Sequence, residues 1–259
     1  MTESPLLPRY FMRLAYDGTE YSGWQRQPKD VSIQQIFEEK LSMILRQRIY
    51  VLGCGRTDAG VHALDFYLHF DADLGQMELP ELLRRLNHIL PKDIAAFEIF
   101  PVKHNANVRF SAYSRSYIYK VSTRKDPFLK GKALLLHRPE LFDKGLMQQA
   151  ADLLLRYTEF YPFCKSNTDV KTMTCKITEA RWEWRDEIHS WEFHITANRF
   201  LRGMVRMIVG MCLEVGQGKM SLAEIEDVME RQVRLPRPLS VSGHGLYLRD
   251  ILYPDDIRI

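Results

Sequence analysis

At 259 residues the chain is long enough for one large domain or two small ones, either with a substantial core. Hydrophobic residues make up 46% and charged residues 27%, which excludes a disordered or low-complexity class. A net charge of +3 suits a polyanionic partner without requiring one.

Phe11 to Tyr16 reads as a strand closed by the turn signal Asp17-Gly18. Ser32 and Gln35 have the spacing of a capping box, and Ile33, Ile36, Phe37, Leu41, Ile44 and Leu45 make one apolar stripe at helical period. Ile49 to Cys54 and Leu64 to Asp71 read as strands on either side of the loop Gly55-Arg56-Thr57-Asp58-Ala59-Gly60-Val61-His62. Pro80 opens a second helix, with Leu79, Leu82, Leu83, Leu86 and Leu90 on one side and Pro91 at its end, and Ile94 to Val102 follows as a strand.

That order, β-α-β-β-α-β, is the split arrangement of ferredoxin-like domains, with both helices on one face of an antiparallel sheet. The remainder repeats it: strand Ser116 to Ser122, helix Lys144 to Tyr157, strands Lys176 to Trp184 and Ser190 to Thr196, helix Arg199 to Val215, and strand Leu246 to Leu252. A further helix starts at Ser221, where Glu224 completes a capping box, and Pro127 to Pro139 reads as an insertion. The expected fold is therefore α+β: two ferredoxin-like subdomains, 1–104 and 105–259. Their antiparallel sheets join into an extended sheet, with helices on one face and an RNA-binding cleft on the other.

Taken alone, the glycines around Asp58 could merely supply positive φ, and Asp58 could merely cap local amides. The density of an arginine, a carboxylate and a histidine within seven residues favours a site instead. Arg56 and Asp58 lie two apart, so in extended geometry they address one side. In Arg199 to Gly210, read as a helix, Arg199, Arg202 and Arg206 share a ridge, and Arg206 sits in so apolar a run that it needs an anionic partner; Asp58 is the candidate. Tyr117 and Tyr119 share a strand face near Arg109 and Arg115, as a surface for stacking bases would require.

Other chemistries lack their motifs. Gly53, Gly55 and Gly60 do not make G-x-G-x-x-G, and Gly218-Lys219 is followed by Met220 where a phosphate loop needs a hydroxyl. His189 and His194 are an odd number apart on a predicted strand and face opposite sides, and no zinc signature is present. The four cysteines are scattered, with no Cys-x-x-Cys and no secretory leader, which points to a reducing cytoplasm. The apolar run Met204 to Val215 is broken by Arg206 and falls short of the roughly 20 residues that span a bilayer, so no membrane role is expected.

These residues together resemble the TruA family of tRNA pseudouridine synthases, almost end to end. The resemblance is carried by Tyr16 to Gln27, the Asp58 loop, Arg109-Phe110-Ser111-Ala112, the Tyr117 strand, Arg199 to Gly210 and Gly245-Leu246-Tyr247-Leu248. It implies a cytoplasmic homodimer that needs no cofactor and no metal, and that isomerises uridines 38, 39 and 40 in the tRNA anticodon stem-loop. It implies Asp58 as the catalytic aspartate, Arg56 as the arginine entering the RNA stack as the uridine flips, Tyr117 as the tyrosine stacking on the target base, and Arg206 as the aspartate's ion-pair partner. Arg202 is a candidate phosphate contact. The chain departs from the family at Asn105-Ala106-Asn107-Val108, where relatives carry His-Ala ahead of Arg-Phe-Ser. The alternative is a non-catalytic RNA-binding protein with RRM-like sheets, whose RNP1 signature is missing.

Overall fold

The structure is a computed structural model that describes residues 7–165, 172–237 and 239–259. The chain divides into two compact units, Met1–Tyr113 with Leu248–Ile259, and Ser114–Tyr247. The first unit thus extends past residue 104 and takes in the end of the chain.

In the first unit the elements are β1 (Arg9–Tyr16), α1 (Ile33–Leu45), β2 (Leu52–Gly53), β3 (His62–Asp71), α2 (Leu79–Ile89) and β4 (Ile94–Val102). The sheet order β4-β1-β3, with β2 on β3, is antiparallel throughout and follows the expected β-α-β-β-α-β order. Alternation along β1 puts Met12, Leu14 and Tyr16 on one face, opposite Leu68 and Phe66 of β3, and all of these are buried. Helix α1 seats Ile33, Ile36, Phe37 and Leu41 in the core. Asn87 of α2 clamps β4, donating from Nδ2 to the Ala96 carbonyl at 2.8 Å and accepting the Ala96 amide at 2.9 Å.

Two local expectations change here. Ser32 caps α1 by accepting the Gln35 amide at 3.3 Å, but the Gln35 side chain donates to Glu39 at 2.8 Å, so only half of a capping box forms. The strand expected over Ile49 to Cys54 shrinks to Leu52–Gly53. Ahead of it, the Ile49 amide donates to Ser42 Oγ at 2.8 Å and the Val51 amide to Glu38 at 3.4 Å, so side chains of α1 satisfy backbone that a ladder would otherwise use.

In the second unit the elements are β5 (Ser114–Ser122), β6 (Leu134–Leu135), α3 (Lys144–Leu153), β7 (Ile177–Arg185), β8 (Ser190–Ala197), α4 (Met204–Gly216) and α5 (Leu222–Arg231). The last strand, β9 (Leu246–Leu252), follows. Strands β5, β8 and β7 pair antiparallel in that order, and β6 adds to β5 in parallel, so the insertion Pro127 to Pro139 contributes a short strand. One face carries Tyr119, Trp182, Trp191, Phe193 and Ile195, all buried. Helix α4 covers that face, and burial pushes its Cys212 thiol up to about 12. Helix α5 starts with the expected capping box of Ser221 and Glu224.

Helix α3 ends at Leu153 and runs into a 3-10 turn over Leu154–Arg156, short of Tyr157. Helix α4 starts at Met204 instead of Arg199, because Asn198 Oδ1 accepts the Lys176 and Arg199 amides at 2.8 and 2.9 Å and Gly203 takes φ 73° at the N-cap. His189 is not in a strand; it stands at φ 55° ahead of β8, so the two-faced reading of His189 and His194 does not apply.

The segment after β4 is tied to β1 and β3. Val108 donates its amide to His69 Nδ1 at 3.1 Å, Arg9 donates to the Ala106 carbonyl at 2.9 Å, and the Tyr253 hydroxyl donates to the Val108 carbonyl at 2.6 Å. Burial, with Arg9 adding to it, lowers the His69 pKa to about 4. His69 is therefore neutral in the fold, whereas the unfolded chain takes up a proton near pH 6.5. Its contribution is intact above that pH and is lost as pH falls toward 4. Thermal unfolding of wild type and His69→Gln between pH 7.5 and 4 should show a smaller acid loss in the variant; equal losses would remove His69 from the account.

Candidate active site

Asp58 sits in the loop between β2 and β3, and its position is set by other segments. Thr57 points into the core, where its hydroxyl and that of Tyr16 are hydrogen-bonded at 2.8 Å. The Thr57 carbonyl accepts the Trp24 amide at 3.2 Å, and the Gly60 amide donates to the Tyr21 carbonyl at 3.3 Å. The turn closes on itself through the Val61 amide and the Asp58 carbonyl at 3.2 Å. Trp24, buried, stacks on Phe66 of β3 with ring centroids 4.3 Å apart, which fixes the bracing segment to the sheet.

Gly23 makes this contact possible. It stands at φ 95°, and a Cβ built on it would lie 2.3 Å from the Thr57 carbonyl oxygen and 2.9 Å from the Asp58 carbonyl carbon. Only glycine allows both the backbone conformation and the approach.

With Thr57 turned inward, its neighbours are the exposed Arg56 and the partly exposed Asp58. His62, counted with them in the sequence, is buried instead. Its Nδ1 is 3.1 Å from the Gly18 amide nitrogen and 3.0 Å from Asp17 Oδ1, so either protonation state of that atom meets a partner within the scaffold.

The remaining predicted residues belong to the second unit. Tyr117, half-buried on β5, meets Phe200 edge to face, with centroids 5.2 Å apart and planes at 89°. It shares its face with Tyr119 and lies opposite Ile195, so it is on the helix-covered side of the sheet and not on the helix-free side expected for an RNA cleft. Tyr119 is wholly buried and donates its hydroxyl to the Ser242 carbonyl at 2.8 Å, a structural role. Burial raises its pKa against the opposing charge of Arg206.

The arginine ridge does not form. Arg206 lies in the first turn of α4, where Nε donates to the Val241 carbonyl at 2.7 Å. Arg202 and Arg199 precede the helix, Arg202 exposed and Arg199 half-buried, so the three do not share a helical face. Arg115 donates to the Asn198 carbonyl at 2.9 Å.

The stretch Asp17 to Gln27, which the sequence marks by its Asp17-Gly18 turn and its family resemblance, is a structural brace, with Trp24 buried against β3. In the departing loop, Asn107 Oδ1 accepts the amides of Arg109 and Phe110 at 2.9 and 3.2 Å and its own amide donates to Ser111 Oγ at 3.0 Å, so asparagine orders the segment. Among the described residues, Glu183, Glu192 and His194 could hold a metal, their ligand atoms lying within 4.8 Å of one another. Glu183, however, already accepts from Arg181 at 3.2 Å and Arg185 at 2.6 Å.

A family model described as tRNA pseudouridine synthase matches residues 13–111 and 153–254. The chain is 47% identical over 252 residues to a tRNA pseudouridine synthase A of Porphyromonas gingivalis, covering 97% of this chain and 99% of that protein. It is 44% identical to the protein of that name from Bacteroides fragilis, with 96% and 98% covered, and 34% identical to one from Bacillus pumilus, with 93% and 97% covered.

Two glycines near Asp58 should respond unequally to alanine. Gly23→Ala must shift the Thr57–Asp58 backbone and should lower stability by more than about 1 kcal/mol, a fall of several degrees in Tm for a chain of this size. A Cβ on Gly55 meets no atom within 4 Å, so Gly55→Ala should unfold within about 1 °C of wild type. Thermal melts of both variants measure this, and equal shifts would refute the Gly23 contact as the constraint.

Proposed function

The chain belongs to the tRNA pseudouridine synthase family, and from that premise we propose that Asp58 is the carboxylate on which its isomerisation of tRNA uridine to pseudouridine depends. The observation that carries this is the bracing of one partly exposed aspartate by Tyr16, Tyr21, Gly23 and Trp24. A turn residue with only a local capping role would not need a stretch of chain more than thirty residues away to hold it.

The reaction breaks the bond from base N1 to ribose C1′, turns the base, and rejoins it through C5, with no change of redox state. Asp58 could attack C1′, attack C6 of the base, or remove the ribose 2′ proton; each route uses the ionised carboxylate. Glycoside hydrolysis normally sets two carboxylates across the scissile bond, and a single carboxylate accords with a reaction that returns the base to the same sugar. Reaching C1′ requires the uridine to leave its stack, at about a few kcal/mol. Arg56, exposed beside Asp58, fills the vacated place. Tyr117 stacks on the base with its ring oriented by Phe200. In this reading Arg206, its Nε held by the Val241 carbonyl, is the ion-pair partner of the Asp58 carboxylate, and the exposed Arg202 contacts phosphate.

The substrates in this reading are uridines 38, 39 and 40 of the anticodon stem-loop, and the enzyme works as a cytoplasmic homodimer. No helix among the described residues is long and apolar enough to cross a membrane.

Release of tritium from C5-labelled uridine in tRNA tests the assignment. Asp58→Asn should reduce release by about 10²- to 10⁴-fold or more while tRNA binding persists. Undiminished release by the variant would refute Asp58 as the catalytic group. Sequencing of the product for pseudouridine at 38, 39 and 40 checks the positions, and sedimentation checks the dimer.

A further inference from the structure

We propose that the loop between β5 and β6 is a second RNA contact, in which Phe128 stacks on an unpaired base and Arg124, Lys125 and Lys130 take the flanking phosphates. This rests on the reading of tRNA as substrate and extends it to a surface with no catalytic role.

The loop reads Arg-Lys-Asp-Pro-Phe-Leu-Lys-Gly-Lys over residues 124 to 132, four cations with a single carboxylate. The carboxylate is engaged locally: Asp126 caps the 3-10 turn Pro127–Leu129 by accepting the Phe128 amide at 2.9 Å. Arg124, Lys125 and Lys130 are exposed and form no ion pair among the described residues. Elsewhere in this unit, by contrast, Arg181 and Arg185 are paired with Glu179 and Glu183.

Phe128 stands at the tip of this turn, 85% exposed, the most exposed large apolar side chain among the described residues. The turn beneath it is ordered. Backbone bonds close it from Leu129 to Asp126 at 3.2 Å and from Lys132 to Leu129 at 2.9 Å. Its two ends are anchored where β6 pairs with β5, where Ser122 Oγ donates to the Arg124 carbonyl at 2.6 Å, and where the Tyr247 hydroxyl donates to the Lys132 carbonyl at 2.7 Å. A scattered exposed apolar residue needs no explanation, but an aromatic ring on a capped turn, in a stretch with exposed Arg124, Lys125 and Lys130 and one locally engaged carboxylate, has the composition of a single-stranded nucleic-acid platform. Charge argues against a second copy of this chain as the occupant. The chain is itself positive, at +3, whereas phosphate is complementary to every free cation of the loop.

Binding of unmodified tRNA to the full-length protein, measured by fluorescence anisotropy across a salt series, tests the proposal. Phe128→Ala should weaken binding by about tenfold, the size of one lost base–aromatic stack. Lys125→Ala with Lys130→Ala should weaken it and reduce the slope of log K against log salt by roughly one to two. Phe128→Trp should retain affinity, and tRNA should quench the added indole fluorescence. Ile188→Ser, exposed on the turn before β8, serves as the control and should bind as wild type does.

Unchanged affinity in both the Phe128→Ala and the double lysine variants overturns the proposal. So does a loss of affinity that tracks a change of oligomeric state in sedimentation, which would make the loop a contact between copies. A wild-type protein that forms no pseudouridine, yet whose affinity for tRNA falls with Phe128→Ala, would sink the isomerase reading and leave this one standing.

Discussion

The contact of Gly23 with the backbone of Thr57 and Asp58 is the constraint on which the proposed catalytic carboxylate depends. Asp58 is not positioned by its own neighbours in sequence. It is positioned because a separate stretch of chain, entering from the end of β1, lies against it with no room for a side chain. That stretch is held in turn by Trp24 stacked on Phe66, and Phe66 belongs to the strand that leaves the loop. The result is a closed circuit of packing: the strand fixes the tryptophan, the tryptophan fixes the glycine, and the glycine fixes the loop between the strands. Buried contacts of this kind are rigid at atomic scale. A carboxylate that must meet a reacting atom within a fraction of an ångström is well served by them.

The second unit uses a different device for its arginine. A cation in the first turn of a helix is opposed by the positive end of the helix dipole, so Arg206 gains nothing from where α4 starts. Its orientation comes from the Val241 carbonyl, while the Val241 amide donates to the Arg206 carbonyl at 3.3 Å. Backbone on both sides of that reciprocal pair is satisfied, and the guanidinium is aimed by a group that cannot titrate. Tyr119 lies near enough for the charge of Arg206 to act on its buried hydroxyl. Tyrosine remains neutral there because burial outweighs the cation.

Long-period features of the fold were legible in the sequence. The order of strands and helices in each unit follows the apolar periodicities, and β4 and β9 have the bounds that their patterns gave. Errors fell where a polar side chain diverts the backbone from a ladder or a helix. Glu38 and Ser42 do so ahead of β2, and Asn198 does so ahead of α4. Such bonds link positions that no periodicity connects. In the site, Asp58 and Arg56 were visible as a dense cluster, whereas the inward turn of His62 and the bracing by Tyr16 to Trp24 are tertiary facts. Even the placement of Tyr117 on the helix-covered face follows from parity with the buried Tyr119, a relation the sequence contained but that hydropathy alone did not assign to a side.

A net charge of +3 says little about where such a protein meets RNA, because many of its surface cations are already answered. Arg9 pairs with Asp71, Arg13 with Asp65, Arg258 with Glu98, and Arg181 and Arg185 with Glu183. In water such pairs contribute little to stability, typically about 0 to 1 kcal/mol each. Their larger effect is on the field: an arginine closed by a carboxylate projects a dipole, which falls off faster than a charge. What remains to attract a polyanion is the set of cations that form no ion pair among the described residues, and these include Arg124, Lys125 and Lys130. The pattern of pairing, more than the total, decides which faces of a weakly basic protein phosphate can find.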